Sequence, residues 1–311
     1  MTVPLPDAVV VMGPKAAAIA ALLRGALPDL NVVENGAAPT GHYALIAFNP
    51  GPEIARYADA QWVHIAGAGA NSVLARLAEA DMQPPLITRT LGRMGAQIGE
   101  YVLSYVLADT QKHAVRQRLQ AARSWDVDEG TPELAADRKA LILGTGGIGG
   151  GVAEALRAVG IKVWGASRSG RADTSFDHVY PMADLPDLAD VDIIVGALPL
   201  TPATDEIIGA NLLKKLRGAL FINVGRGATA DIGAVVSALA DGSLRHAVLD
   251  VVPREPLPKD SPLWSHPNIT ITPHVSGITL NEDTVAAFVA AYDAIAAGEA
   301  PPLIVDPAAG Y

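Results

Sequence analysis

Through the first hundred residues, short apolar runs alternate with stretches whose apolar positions recur at helical spacing. The runs at 9–12, 43–48, 62–66 and 86–88 have strand length. The segments 15–24 and 72–80 between them carry the helical pattern. This alternation predicts βα units on a parallel sheet. The run at 31–33 is short enough to be an extra strand or a loop.

From 95 to 123 the pattern reads as one long helix, with Ile98, Val102, Tyr105 and Val106 at helical spacing and polar residues dominating after Thr110. Such a helix serves as a hinge and an oligomer surface, or it packs within its own chain; the pattern leaves both open. The polar segment 124–138 reads as a linker. A second series follows, with strands at 140–143, 161–164, 191–197, 220–224, 246–251 and 269–272 and helices such as 152–159 and 232–240. The Ala-rich helical stretch 282–297 comes after the last strand and is expected to return to the first domain. The predicted organisation is α/β, with a discontinuous domain of 1–100 plus 282–311 and a second domain of 101–281.

Composition narrows the function. A chain of 311 residues, half of it hydrophobic, suits two domains with substantial cores. A formal charge of −10 argues against nucleic acid or an anionic membrane surface as partner. There is no cysteine, which removes disulfides, thiolate metal sites and cysteine nucleophiles. The His, Asp and Glu residues show no metal-ligand spacing, so no metal is expected. The N-terminal stretch lacks the basic start and apolar run of a signal peptide, and no apolar run reaches the roughly 18 residues that span a bilayer. A cytoplasmic location is the expectation.

The stretch from Ala140 to Gly160 carries Gly144, Gly146 and Gly149 in GxGxxG spacing, after a strand and opening a helix. That context gives the motif its meaning as a dinucleotide fingerprint. Gly144 permits a tight turn, Gly146 lets the backbone approach a pyrophosphate, and Gly149 lets the helix pack close to the sheet. The N–H groups around Gly147 and Ile148 then point at phosphate from a helix N-terminus. A site for NAD usually places a carboxylate about 20 residues after the first glycine. Here Ser167-Arg168-Ser169 stands in that place, with Arg171 beyond and no carboxylate before Asp173. Arginine and hydroxyls suit a 2′-phosphate, which predicts NADP, with NAD as the alternative.

Three ionisable groups sit just after predicted strands: Arg226 in FINVGRGA, Glu255 in LDVVPREPLP and His274 in ITPHVSG. Ligands of open parallel sheets bind at the carboxyl ends of strands, so the three are candidates for one crevice. A 2-keto acid needs a cation for its carboxylate and carbonyl, which arginine supplies as a planar fork of donors. Reduction needs a proton for the developing alkoxide, a role for histidine. A carboxylate beside that histidine orients the ring and favours the imidazolium. A nicotinamide supplies the hydride.

The succession GTGGIG, SRS, LPLTPAT, NVGRG, LDVVPREPLP and SPLWSHPNITITPHVSGIT resembles the D-isomer-specific 2-hydroxyacid dehydrogenases, above all their glyoxylate/hydroxypyruvate reductase branch. The resemblance implies two doubly wound parallel-sheet domains, a flavodoxin-like substrate domain and a Rossmann NAD(P)-binding domain, with a cleft between. It implies that Arg226 binds and polarises a small 2-keto or 2-hydroxy acid, that His274 is the acid/base and that Glu255 is its partner. It places Asp250 at the nicotinamide carboxamide and Leu198, Pro199 and Thr204 along the cofactor. It makes Ala68 and Gly69 the turn whose N–H groups hold the substrate carboxylate. Asn71 stands where that family usually has Asp, and Ala47-Phe48 stand near the place of a common Trp. A homodimer is the expected assembly. The alternatives are a phosphoglycerate or D-lactate type of dehydrogenase, or a dinucleotide-sensing interaction protein.

Overall fold

The structure is a computed structural model that describes residues 3–310. They form two compact units, one running up to Met94 and resuming at Thr279, the other Gly95–Ile278. The sequence alone places these divisions six residues later, at 100/101, and three later, at 281/282. Packing draws them earlier. The helix that starts near residue 95 lies so close to the helix after the fingerprint that a Cβ on Gly95 would meet Gly147 O at 2.6 Å. Gln97 exchanges two hydrogen bonds with the backbone of Ile278, at 3.1 and 2.9 Å.

The first unit contains β1 (Ala8–Val11), α1 (Ala16–Ala26), β2 (Asn31–Glu34), β3 (Tyr43–Ala47), β4 (Trp62–Ile65), α2 (Asn71–Glu79) and β5 (Leu86–Arg89). All strands are parallel, in the order β2-β1-β3-β4-β5, and the short run at Asn31 is a full strand of the sheet. Successive strand residues face opposite sides. Val10, Leu45, Val63 and Ile65 pack on one side with Val73 and Leu77 of α2; Val9, Val11, Ile46 and Trp62 pack on the other with α1.

The second unit holds α3 (Met94–Thr110), α4 (His113–Ala121), α5 (Val127–Gly130), β6 (Lys139–Leu143), α6 (Gly147–Arg157), β7 (Lys162–Ser167), β8 (His178–Pro181), β9 (Ile193–Gly196), α7 (Ala210–Leu213), β10 (Ala219–Asn223), α8 (Ile232–Asp241), β11 (Leu244–Leu249) and β12 (Ile269–Ile271). Its seven strands are parallel in the order β12-β11-β10-β9-β6-β7-β8. β6, β9 and β10 are apolar and buried almost throughout, as strands covered on both faces must be. The order reverses between β6 and β9, and ligands of such sheets bind outside the strand ends at that point.

Two features depart from the sequence reading. The single helix over 95–123 is two helices, because the Thr110 carbonyl accepts the Glu133 N–H at 2.8 Å and Lys112 turns left-handed at φ 51°. Strand β8 has no counterpart in the sequence pattern, because only Val179 of its four residues is buried.

The chain returns to the first unit as α9 (Asn281–Ala296). Phe288 is fully buried and stacks on Trp62 at 4.4 Å with an interplanar angle of 4°. Truncating a buried Phe costs about 3–5 kcal/mol, so α9 is part of that core. Its first-turn Asp283 bonds Arg93 Nε at 3.0 Å. Beyond α9, the backbone at 303–305 pairs antiparallel with the edge strand β5 (Arg89 N to Leu303 O 3.1 Å, Val305 N to Ile87 O 2.8 Å). No described helix is long and apolar enough to cross a membrane.

Candidate active site

At the end of β6 the chain turns sharply through Gly144, whose φ of +103° disfavours any side chain. A Cβ there would also meet Ala197 O, just past β9, at 2.6 Å. Gly149 lies so close under the turn that its Cβ would fall 1.9 Å from Gly144 O. Gly146 is different: a Cβ there would meet nothing within 4 Å. The chain has therefore left open space at the N-cap of α6, whose first turn carries no acidic residue. The first N–H groups of a helix have no partners within it, so those at Gly147 and Ile148 suit a pyrophosphate. At the end of β7, Ser167 Oγ accepts the Gly170 N–H at 3.1 Å and Ser169 Oγ the Arg171 N–H at 3.3 Å. Arg168 between them is exposed and bonds none of the described residues. These groups fit a dinucleotide with a 2′-phosphate.

Backbone contacts continue from this loop toward the ionisable groups. Leu198 is buried in the core; a Cβ on Gly225, after β10, would meet Leu198 N and O at 2.8 and 2.7 Å. Thr204 Oγ1 donates to Pro199 O at 2.6 Å and accepts the Thr201 N–H at 2.8 Å, which shapes the 198–204 loop. Gly227 packs on the chain after β11, where its Cβ would lie 1.9 Å from Val252 C. Between these two glycines stands Arg226. Its carbonyl accepts Thr229 Oγ1 at 2.6 Å and Asn223 Nδ2 at 3.3 Å, and its Nη1 donates to Gly225 O at 2.7 Å.

After β11 the chain passes Asp250 and reaches Glu255. Glu255 Oε1 accepts the Val252 N–H at 3.2 Å, and Oε2 lies 2.8 Å from His274 Nδ1. Both side chains are partly open to solvent. His274 follows β12 in a left-handed conformation, φ 55°, which an L residue adopts only when its surroundings impose it. Asp250 imposes it. Its buried carboxylate accepts Thr272 Oγ1 at 2.6 Å and the N–H groups of Val275 and Ser276 at 2.9 and 3.0 Å. Tyr101 of α3 reaches the same loop, with its hydroxyl 2.6 Å from Thr272 Oγ1; burial holds that phenol above its ordinary pKa. The carboxylate thus anchors the histidine loop, and both the carboxylate–imidazole pair and Arg226 lie at the carboxyl ends of their sheet.

In the first unit, Ala68 and Gly69 form the turn between β4 and α2. The backbone N–H groups of Gly67, Ala68 and Gly69 donate to no acceptor among the described residues. Phe48 flanks the turn, with its ring 3.0 Å from where a Gly67 Cβ would stand. Sequence reasoning missed Tyr101 and Arg89, because each acts through a contact distant in the chain, and Asn223, whose amide bonds the Arg226 carbonyl only because the chain turns back after β10. Only Arg89, a charged residue closing an apolar strand, left a trace in the pattern.

Residues 103–276 match the model of the D-isomer specific 2-hydroxyacid dehydrogenase, NAD binding domain. The chain belongs to that dehydrogenase family. It is 33% identical over 277 residues to a glyoxylate/hydroxypyruvate reductase A of Citrobacter koseri, covering 85% of this chain and 86% of that protein. Among solved structures it resembles a D-isomer specific 2-hydroxyacid dehydrogenase of Xanthobacter autotrophicus Py2 in complex with NADPH and MES (TM-score 0.86, 31% identity, 98% of this chain and 100% of that one). It also resembles an NADPH-dependent glyoxylate/hydroxypyruvate reductase of Sinorhizobium meliloti in complex with NADP and sulfate (TM-score 0.83, 29% identity, 98% and 100%). The strand orders of both units agree with the doubly wound architecture the resemblance implied.

Proposed function

We propose that this dehydrogenase reduces a small 2-keto acid, of the glyoxylate or hydroxypyruvate kind, to its 2-hydroxy acid with NADPH. The observation that carries the reading is the 2.8 Å contact between His274 Nδ1 and Glu255 Oε2, held by an Asp250-anchored loop. Gly144, Gly146, Gly147, Ile148 and Gly149 would hold the pyrophosphate, and Ser167, Arg168 and Ser169 the 2′-phosphate. Asp250, Leu198, Pro199 and Thr204 would border the rest of the cofactor. When bound, that cofactor supplies the hydride. Arg226 would clamp and polarise the substrate, and Ala68 and Gly69 would receive its carboxylate. With Nδ1 bonded to Glu255, the Nε2–H of the imidazolium faces the substrate and gives its proton to the carbonyl oxygen as the C–H bond forms. In oxidation the neutral ring takes that proton back.

The proposed setting is the cytoplasm and the proposed assembly a homodimer. Trp125, 96% exposed, stands with exposed Val127 and Leu134 in the segment after α4 and supports an apolar contact with a second copy. The experiment is steady-state oxidation of NADPH, and in parallel NADH, against a panel of 2-keto acids. NADPH-dependent turnover of glyoxylate or hydroxypyruvate is expected; inertness toward every 2-keto acid would overturn the reading.

A further inference from the structure

Arg89 ends the edge strand β5 beside the turn that follows β4, in register with Ile65. It shares the sheet face of Ile87, which packs against Val73 and Leu77 of α2. Its Nη1 donates to the carbonyl of Ala68 at 3.0 Å. Its Nε is buried and has no acceptor among the described residues. Arg24, Arg76, Arg93, Arg138 and Arg245 each pair with a carboxylate, whereas no described carboxylate pairs with Arg89. Burial depresses the pKa of its guanidinium. A half-buried cation without a counter-charge is costly, and such groups concentrate where a ligand supplies the missing charge.

The same few residues carry a second deficit, the N–H groups of Gly67, Ala68 and Gly69, which have no acceptor among the described residues. One carboxylate, with two oxygens and about four lone-pair sites, can take up hydrogen bonds from several of these donors. We propose that Arg89 is a specificity-determining residue: its guanidinium sets the Ala68 peptide through Nη1 and supplies the positive charge that selects an anionic substrate at this turn. The inference rests on the proposed 2-keto acid reduction, and it adds a charge to a turn otherwise built from neutral backbone. Arginine suits the place because its planar fork can hold a carbonyl and a carboxylate at once, while a lysine supplies charge without the fork.

The test compares wild type with Arg89→Leu and Arg89→Lys. Calorimetry measures oxalate binding to each protein saturated with NADPH, and kinetics compare glyoxylate with its uncharged methyl ester. Loss of a charge-assisted hydrogen bond corresponds to about 10- to 100-fold. Arg89→Leu is therefore expected to raise the oxalate Kd and the glyoxylate KM by about that factor. The ester's KM should stay within about twofold, NADPH affinity should be unchanged, and Arg89→Lys should recover part of the loss. Equal losses for acid and ester would reduce Arg89 to a structural residue and overturn the inference, as would an unchanged oxalate Kd. If Arg89→Leu fails to fold, oxalate binding to Arg89→Lys decides: wild-type affinity overturns the proposal. A wild-type protein that binds oxalate but reduces no 2-keto acid defeats the proposed reaction, while the oxalate comparison still decides the role of Arg89.

Discussion

The backbone N–H of His274 donates to the carbonyl of Asp250 at 2.9 Å, while the carboxylate of the same aspartate holds the next two N–H groups of the loop. The imidazole is thus positioned by a residue 24 places earlier in the chain. Asp250→Asn replaces an acceptor by an amide N–H that faces a backbone N–H. We expect kcat to fall at least about tenfold and unfolding stability to fall by about 1–3 kcal/mol. Steady-state kinetics and thermal unfolding check this; near-wild-type kcat would refute the anchoring role.

Glu255 Oε2 holds the His274 ring through Nδ1 at 2.8 Å. In the proposed reaction His274 gives the proton in reduction and takes it back in oxidation. Glu255→Gln removes the charge and keeps the shape. Glu255→Gln is expected to lower kcat about 10- to 100-fold, the loss of one charge-assisted hydrogen bond, and His274→Gln to remove most turnover while NADPH binding survives. Steady-state kinetics that give a wild-type kcat for Glu255→Gln would sink the assignment.

Cofactor choice is expected to rest on Arg168. It is exposed between two serines whose hydroxyls already brace the loop, so its removal leaves the turn intact. Arg168→Ala should raise the KM for NADPH about 10- to 100-fold and that for NADH little, the loss of one charge-assisted contact. Wild-type enzyme that uses NADH as well as NADPH would show the idea to be wrong.

His64 makes a stability prediction with a sign. It is fully buried between Thr88 Oγ1 at 2.8 Å and Thr90 Oγ1 at 3.0 Å, and burial pushes its pKa down from 6.5 to about 3. Between those values the unfolded chain holds the extra proton. The contribution is complete above pH 6.5 and is lost as pH falls toward 3, at about 1.4 kcal/mol per pH unit. Denaturant unfolding across this range should show wild-type stability falling more steeply with acid than that of His64→Gln. Parallel curves would mean that His64 titrates alike in both states.

The proposed dimer is checked at Trp125. Trp125→Ser should shift sedimentation from dimer toward monomer at micromolar concentration, because large aromatic anchors dominate such contacts. A wild-type monomer, or an unchanged dimer in the variant, would remove the segment after α4 from the interface.

What was legible beforehand followed from local chemistry. GxGxxG between a strand and a helix, and ionisable residues just after apolar runs, are visible because strand ends and turns leave local marks. The break at Lys112 was not, since it depends on Glu133 capturing the Thr110 carbonyl from 23 positions away. β8 was hidden because an edge strand with one buried residue has no period to read. Asn223 and Tyr101 looked like ordinary strand and helix residues. The role of the one arises from the turn after β10 that puts the Arg226 carbonyl on its amide, and that of the other only when the fold brings Thr272 beside it.

The late return of the chain has a consequence for the order of biosynthesis. Trp62 and the buried His64 both contact Phe288, and the edge of β5 is closed by the backbone at 303–305. A ribosome delivers the last of the five strands of the first sheet, ending at Arg89, almost two hundred residues before Phe288, the aromatic ring that seals them. The inserted dinucleotide-binding fold has all its strands out of the exit tunnel first and can consolidate as a unit, while the N-terminal sheet waits with apolar surface uncovered. Nascent chains arrested before α9 should therefore bind holdase chaperones through their oldest segment.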